Sequence, residues 1–150
     1  MKKTFVSHNE KETEALAEKV ANISRRGDVW ALSGTLGAGK SVFARAFIKK
    51  MTGAEEVPSP TFTLVQMYDA GSFDIFHYDL YRLKSPMEIF ELGVDEAFYS
   101  AVSLVEWPEK MGSFAPRDMW NVEIIVEDDI RKITISADTE DKINRLQNVG

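Results

Sequence analysis

Residues 34–41, GTLGAGKS, combine three glycines, a lysine and a serine in an order suited to phosphate binding. They match the pattern G-x-x-x-x-G-K-[ST] without gaps. Glycine lets successive backbone N–H groups approach phosphate oxygens at a helix N-terminus. Lys40 would bridge the β- and γ-phosphates of a nucleotide, and the Ser41 hydroxyl would ligate Mg²⁺. The expected phosphate contacts are Thr35, Leu36, Gly37, Ala38, Gly39, Lys40, Ser41 and Val42.

Two carboxylates could complete an Mg²⁺ site beside this loop. Glu106 closes the apolar run AVSLV, which is typical of the Walker B acid at the end of a buried strand. Asp79 lies in FHYDLYR, on a strand face that is otherwise largely apolar, so it needs a partner. That partner could equally be the metal or its water shell, Arg82, or a tyrosine.

Two further polar residues are ambiguous. Thr61, in PSPTF, could be a switch-type threonine that senses the γ-phosphate, although its position between prolines and a strand also fits a plain turn residue. His77 could polarise a water molecule. A lone histidine on a sheet face is more often a hydrogen-bonded structural residue, so we do not predict a catalytic role for it.

The sequence outside the loop bears on which nucleotide is bound and on which class of protein this is. No Asn-Lys-x-Asp element for guanine is present, which favours ATP over a GTP-driven switch. A small-molecule kinase would need an acceptor pocket and an arginine-bearing lid, whereas the arginines after the loop are not clustered. A third class is a module in which hydrolysis resets a partner.

The elements that must position these residues alternate between strand and helix, as in an α/β fold. The helices are expected at 7–27, capped by Ser7 with Glu10 and ended by Gly27, at 40–51, ended by Gly53, and from Pro86 after Ser85. The strands are expected at 3–6, 28–34, 60–68, 73–83, 101–106, 121–127 and 132–137. Two hairpins, across DAGS and DDIR, make the central sheet mixed. We expect one domain over residues 1–150, with the last dozen residues frayed.

Composition and charge bear on the possible binding partners and on the cellular location. The net charge is −6 and the basic residues are scattered, which argues against direct binding of DNA or RNA. The chain has no cysteine, and we find no signal peptide and no apolar run long enough for a membrane span. The expected location is the cytoplasm.

Five segments in this order resemble the TsaE family, the small bacterial ATPases of tRNA threonylcarbamoyladenosine (t6A) biosynthesis. They are GTLGAGKS, SPTFTLV, FHYDLYRL, the ELG that follows, and LVEWPE, and the resemblance extends over residues 7–137. It implies a P-loop NTPase fold with a mixed sheet and an ATP- and Mg²⁺-dependent hydrolase. It also implies a TsaB–TsaD heterodimer as partner, with tRNA reached only through that complex. Because no intrinsic arginine finger is evident in the sequence, we expect hydrolysis to be slow until the partner is bound.

The resemblance also assigns roles by position. Lys40, Asp79, Glu106 and Thr61 are the implied catalytic set, with Ser41, Glu106 and Asp79 around the metal. Trp107 matches the tryptophan beside the Walker B acid. Glu10, Thr13 and Arg131 are implied nucleotide contacts. Thr35 departs from the acid that the family often has after the first loop glycine, which leaves the effect on hydrolysis open.

Overall fold

The computed structural model describes all 150 residues as a seven-stranded mixed sheet with helices on both faces. The strands are β1 (Lys2–Ser7), β2 (Val29–Gly34), β3 (Val65–Asp69), β4 (Asp74–Asp79), β5 (Val102–Glu106), β6 (Trp120–Glu127) and β7 (Ile130–Ser136). The α-helices are α1 (Glu10–Ile23), α2 (Lys40–Thr52), α3 (Val94–Ser100) and α4 (Glu140–Leu146), with 3₁₀ segments at Pro86–Leu92 and Pro108–Phe114. The predicted α/β class with a mixed sheet is confirmed.

The sheet order is β1-β7-β6-β2-β5-β4-β3, and its four central strands, β6, β2, β5 and β4, are parallel. Both predicted hairpins exist, as the antiparallel pairs β3–β4 and β6–β7. Strands β2 and β5 read as continuous apolar runs because helices cover both faces of the sheet. The carboxyl ends of the parallel strands meet at one edge, where α/β folds bind ligands.

Helices α1 and α2 cover the face with the larger core, where Trp30 stacks on Trp120 with ring centroids 4.3 Å apart. Helix α3 and the two 3₁₀ segments cover the other face, around Tyr78 and Met111. No helix combines the length and the apolar character needed to cross a membrane.

The cap predicted for α1 is wrong. Ser7 ends β1, where its hydroxyl donates to the Asn9 carbonyl at 2.8 Å. Asn9 caps the helix instead, because its side chain accepts the Glu12 N–H at 2.9 Å. Gly27 does not end the helix either: the helix ends at Ile23 with Ser24 as its C-cap, and Gly27 lies in the turn before β2. Gly53 does end α2, in the left-handed conformation.

Two other predictions, the start of the strand at residue 60 and the type of helix from Pro86, differ from the structure. The strand expected from residue 60 begins only at Val65, because residues 61–64 form a turn in which the Leu64 N–H bonds the Pro60 carbonyl at 2.6 Å. The segment from Pro86 is a 3₁₀ helix with the expected Ser85 cap. Helix α3 and the 3₁₀ segment Pro108–Phe114 were not predicted, since both are short and weakly periodic.

The last residues are not frayed. They form α4, whose Leu146 joins the larger core. Arg145 donates two hydrogen bonds to the Asp28 carboxylate, at 2.6 and 3.0 Å, and one to the Ile23 carbonyl at 2.8 Å. These contacts tie the helix to the start of β2, which explains why a polar C-terminal sequence is ordered.

Replacing Arg145 by Met is expected to lower the free energy of unfolding by about 3–5 kcal/mol, because it leaves the Asp28 charge buried without its partner. Urea denaturation would measure the loss. The matched control is Arg25→Met: its ion pair with Asp141 is exposed, so we expect a cost below about 1 kcal/mol. Equal, small losses in the two variants would show that the ion pair does not hold α4 in place.

Candidate nucleotide site

The glycine-rich loop connects β2 to α2 at the carboxyl edge of the sheet. Gly34 has φ +148°, and a Cβ there would lie 2.6 Å from the Ile124 carbonyl oxygen, so only glycine fits between the loop and β6. Gly39, with φ +115°, is the N-cap residue of α2. The Arg131 Nε donates to the Ala38 carbonyl at 3.0 Å and holds the loop from β7.

A cleft of about 320 Å³ opens beside the loop. The cleft is lined by Leu36, Gly37, Gly39, Lys40, Ser41, Val42, Thr61, Asp79, Tyr81, Arg82, Glu106 and Trp107. All four predicted catalytic residues and all three predicted metal ligands therefore lie around one cavity. They come from four separate parts of the chain, and the parallel strands bring them to one edge.

The two carboxylates lie side by side because β4 and β5 pair in parallel with Asp79 opposite Glu106. Both side chains are buried. The Ser41 hydroxyl donates to Glu106 Oε1 at 3.1 Å. The Thr61 hydroxyl donates to Asp79 Oδ2 at 3.1 Å, and the Tyr81 N–H donates to Asp79 Oδ1 at the same distance. Each acid therefore stands next to a hydroxyl group that faces the cleft.

Of the partners considered for Asp79, those within the chain can be compared directly, whereas the metal or its water shell stays a prediction. The partner is Thr61 together with a backbone N–H, and not Arg82 or a tyrosine hydroxyl. The Arg82 guanidinium lies over the Phe62 ring, 4.7 Å from its centroid, and Phe62 is 81% exposed. Thr61 is thus a turn residue that also faces the cleft, so the turn and switch interpretations are compatible.

Lys40 is buried beneath Trp107. Its ammonium donates to the Gly34 carbonyl at 2.6 Å and lies 3.4 Å from the centroid of the Trp107 ring. Burial lowers the pKa of Lys40 below its usual value, and three nearby carboxylates offset part of that shift. A phosphate in the cleft would add a further anion close to this desolvated ammonium.

Trp107 adopts the left-handed backbone conformation, with φ 59° and ψ 52°, which is rare for a bulky residue. Its ring lies against Tyr81, with centroids 5.0 Å apart, and covers Lys40. Backbone strain of this kind concentrates at functional sites. The other tryptophans, Trp30 and Trp120, are fully buried in the core, so Trp107 is the fluorophore that a ligand in the cleft would reach.

A second, smaller cleft of about 230 Å³ lies on the other side of the loop. Glu10, Thr13 and Arg131, the implied nucleotide contacts, all line it together with Gly37, Ala38, Gly39 and Val42. Gly37, Gly39 and Val42 also line the first cleft, so the loop forms the ridge between the two. The Thr13 hydroxyl is already hydrogen-bonded to the Ser7 hydroxyl at 2.7 Å.

Thr35 is separate from both clefts. It is exposed and lines a hollow of about 570 Å³ with Leu36, Trp107 and Glu109. Thr35 therefore does not line the cleft that contains Ser41 and the two acids. A direct phosphate contact from the Thr35 side chain remains a prediction.

Sequence reasoning gave His77 no role in the site, yet it contacts Glu106 directly. Its Nε2 lies 2.7 Å from Glu106 Oε2, and both side chains are buried. The signal that could have found it is its spacing: His77 and Asp79 point to the same face of β4, and β5 places Glu106 beside them. Alternation alone did not reveal which strand would be the neighbour.

Comparison with known proteins supports the family resemblance. A model of the family described as "Threonylcarbamoyl adenosine biosynthesis protein TsaE" matches residues 7–134. The tRNA threonylcarbamoyladenosine biosynthesis protein TsaE of Rickettsia felis is 41% identical over 130 residues, covering 86% of this chain and 76% of the relative. The protein of the same name from Bacillus subtilis is 37% identical over 133 residues, covering 86% and 82%.

Similarity also extends to three dimensions. The crystal structure of YdiB from Bacillus subtilis superimposes with a TM-score of 0.84 at 30% sequence identity, covering 99% of this chain and 94% of that one. The match therefore includes the whole sheet and the loop after β2. It confirms the predicted P-loop fold.

Proposed function

The chain belongs to the TsaE family, and from this membership and the cleft beside the loop we propose that it is an Mg²⁺-dependent ATPase serving tRNA threonylcarbamoyladenosine (t6A) modification. The observation that carries the proposal is the meeting of Lys40, Ser41, Asp79 and Glu106 around one cavity. The part in t6A biosynthesis comes from the relatives, whose names state that process.

The two clefts on either side of the loop suggest how ATP would lie. The phosphates would pass over the ridge at Gly37 and Gly39 towards Lys40, next to the positive N-terminus of α2. The nucleoside would then occupy the smaller cleft, near Glu10 and Arg131. This path leaves the terminal phosphate in the cleft with the two acids.

The residues present fit a magnesium ion. Mg²⁺ prefers oxygen ligands and retains waters and phosphate oxygens, so it needs few protein groups. The cleft offers the hydroxyl of Ser41 and the carboxylates of Glu106 and Asp79, and no group of three or more His, Asp or Glu side chains forms a complete metal cage. When bound, the ion would neutralise charge on the phosphates.

The chain's own residues would do the rest of the work. Lys40 would bind the terminal phosphates. Ser41 and Glu106 would supply oxygen atoms to the magnesium ion on their side of the cleft. Thr61, hydrogen-bonded to Asp79, would place its turn beside the terminal phosphate. Trp107 and Tyr81 would exclude water from the ammonium of Lys40.

The partner proposed for this ATPase is a TsaB–TsaD heterodimer, with tRNA bound only through the complex and with the cytoplasm as location. Arg82 is the only arginine that lines the cleft, and its guanidinium lies on the Phe62 ring. With no arginine placed on the phosphates by the chain itself, hydrolysis should be slow until a partner binds.

The decisive experiment compares the ATPase rate of the protein alone and with a TsaB–TsaD pair. We expect slow release of phosphate alone and a rise of at least tenfold with the pair. Full activity alone, unchanged by the pair, would contradict the partner proposal. Transfer of labelled phosphate from ATP to a metabolite would indicate a small-molecule kinase, and tighter binding of GTP than ATP would indicate a GTP-driven switch.

A further inference from the structure

His77 is the one histidine in the interior of the sheet. It lies in β4 with its side chain 1% exposed, between Gln66 of β3 and Leu104 of β5 in the strand register. It does not line the cleft. The only hydrogen bond of its side chain joins Nε2 to Glu106 Oε2, at 2.7 Å. The direct contact that links His77 to the cleft is therefore its hydrogen bond to Glu106.

Each carboxylate oxygen of Glu106 has a hydrogen-bond donor, and His77 is one of the two donors. Oε2 of the carboxylate accepts from His77, and Oε1 accepts from the Ser41 hydroxyl at 3.1 Å. With a donor on each oxygen, the carboxylate cannot rotate about its last bond without losing a hydrogen bond in a buried setting. Oε1 is thus kept next to Ser41, on the side of the cleft.

Packing does not explain a histidine at this position. The other ring nitrogen, Nδ1, is buried and has no hydrogen-bond partner. Buried polar atoms without partners are uncommon because they lose hydrogen bonds to water and gain none in the protein. An apolar side chain in β4 would avoid that cost. The contact with Glu106 is the one interaction of the ring that an apolar residue could not make.

We propose that His77 is a positioning residue for Glu106: it donates its Nε2–H to Oε2 and so holds Oε1 and the Ser41 hydroxyl facing the cleft together. The inference rests on the proposed function, because it assigns His77 a part in preparing the cleft for Mg²⁺ and ATP. Partners of this kind, one step removed from the ligand, typically change metal affinity or activity by about 10–100-fold when they are removed.

The test compares His77→Leu with His77→Gln, whose side-chain amide keeps an N–H donor near the position of Nε2. Trp107 fluorescence, titrated with a non-hydrolysable ATP analogue and then with Mg²⁺, measures binding without turnover. For His77→Leu we expect a kcat lower by about 10–100-fold, a Mg²⁺ requirement raised about tenfold, and analogue affinity without Mg²⁺ within about threefold of wild type. His77→Gln should recover most of the loss.

A double mutant separates positioning from structural support. If His77 acts through Glu106, His77→Leu should slow hydrolysis no further in a Glu106→Ala background, which has no side-chain acceptor left for the histidine. A second, additive loss there, or a His77→Leu variant with wild-type kcat and Mg²⁺ requirement, would overturn the inference. So would His77→Gln being as impaired as His77→Leu. Failure of the wild-type protein to bind or hydrolyse ATP would instead contradict the proposed function.

Discussion

Lys40→Ala should weaken ATP binding by about 100-fold. The loss of one charge-assisted contact to phosphate costs up to about 3 kcal/mol, and each 1.4 kcal/mol corresponds to a factor of ten in affinity. Lys40 is the only lysine that lines the cleft, and its ammonium lies under Trp107 with only the Gly34 carbonyl as hydrogen-bond acceptor. Isothermal titration with a non-hydrolysable ATP analogue measures the change directly.

The matched control for Lys40→Ala is Lys50→Ala, which removes the same charge from an exposed position in the last turn of the same helix. Its affinity should stay within about twofold of wild type, because charges beyond about 10 Å are largely screened at ordinary ionic strength. Thermal melting of both variants shows whether each is folded. Equal affinity in wild type and Lys40→Ala would contradict the assignment of the loop as the phosphate site.

Glu106→Gln should have the opposite profile: binding largely kept and hydrolysis lost. The amide has the same shape and can still accept from His77 and contact Ser41, so the cleft should keep its form. It lacks the negative charge that would hold Mg²⁺ or receive a proton. Groups with such roles typically contribute about 10²–10⁴ in rate, so we expect kcat to fall at least about 100-fold while analogue affinity changes by less than about threefold.

Single-turnover phosphate release with and without the partner proteins would measure the effect of Glu106→Gln. The control is Glu91→Gln, which removes the same charge from an exposed position in the 3₁₀ segment Pro86–Leu92. A Glu106→Gln protein that hydrolyses ATP at the wild-type rate would exclude Glu106 as the Walker B acid. Asp79, directly opposite on β4, would then be the better candidate.

The loop was predictable because all the residues of its motif are consecutive in the sequence. The glycines, Lys40 and Ser41 each act through backbone freedom or a single functional group, so their spacing alone indicates phosphate binding. The α/β class was predictable for a similar reason, since strand, loop and helix follow one another locally. The place of Glu106 at the end of a buried strand was predictable from the apolar run that precedes it.

Where the sequence misled, a non-local contact had overridden a local signal. The last residues are polar and were expected to fray. They are held because Arg145 donates hydrogen bonds to the carboxylate of Asp28, a residue far from it in sequence. Ser7 has the spacing of a helix cap, yet its pairing in β1 opposite Arg131 takes it into the sheet and leaves the cap to Asn9. Such pairings depend on which strands become neighbours.

The sequence by itself determined that residues 34–41 carry the pattern of a phosphate-binding loop and that Asp79 and Glu106 are candidates to lie beside it. Only the tertiary structure decided that these two acids are opposite each other, that Thr61 and not Arg82 contacts Asp79, and that His77 contacts Glu106. The physical reason is the strand order. Inserting β5 between β2 and β4 in parallel brings three strand ends to one edge, and no local pattern encodes that order.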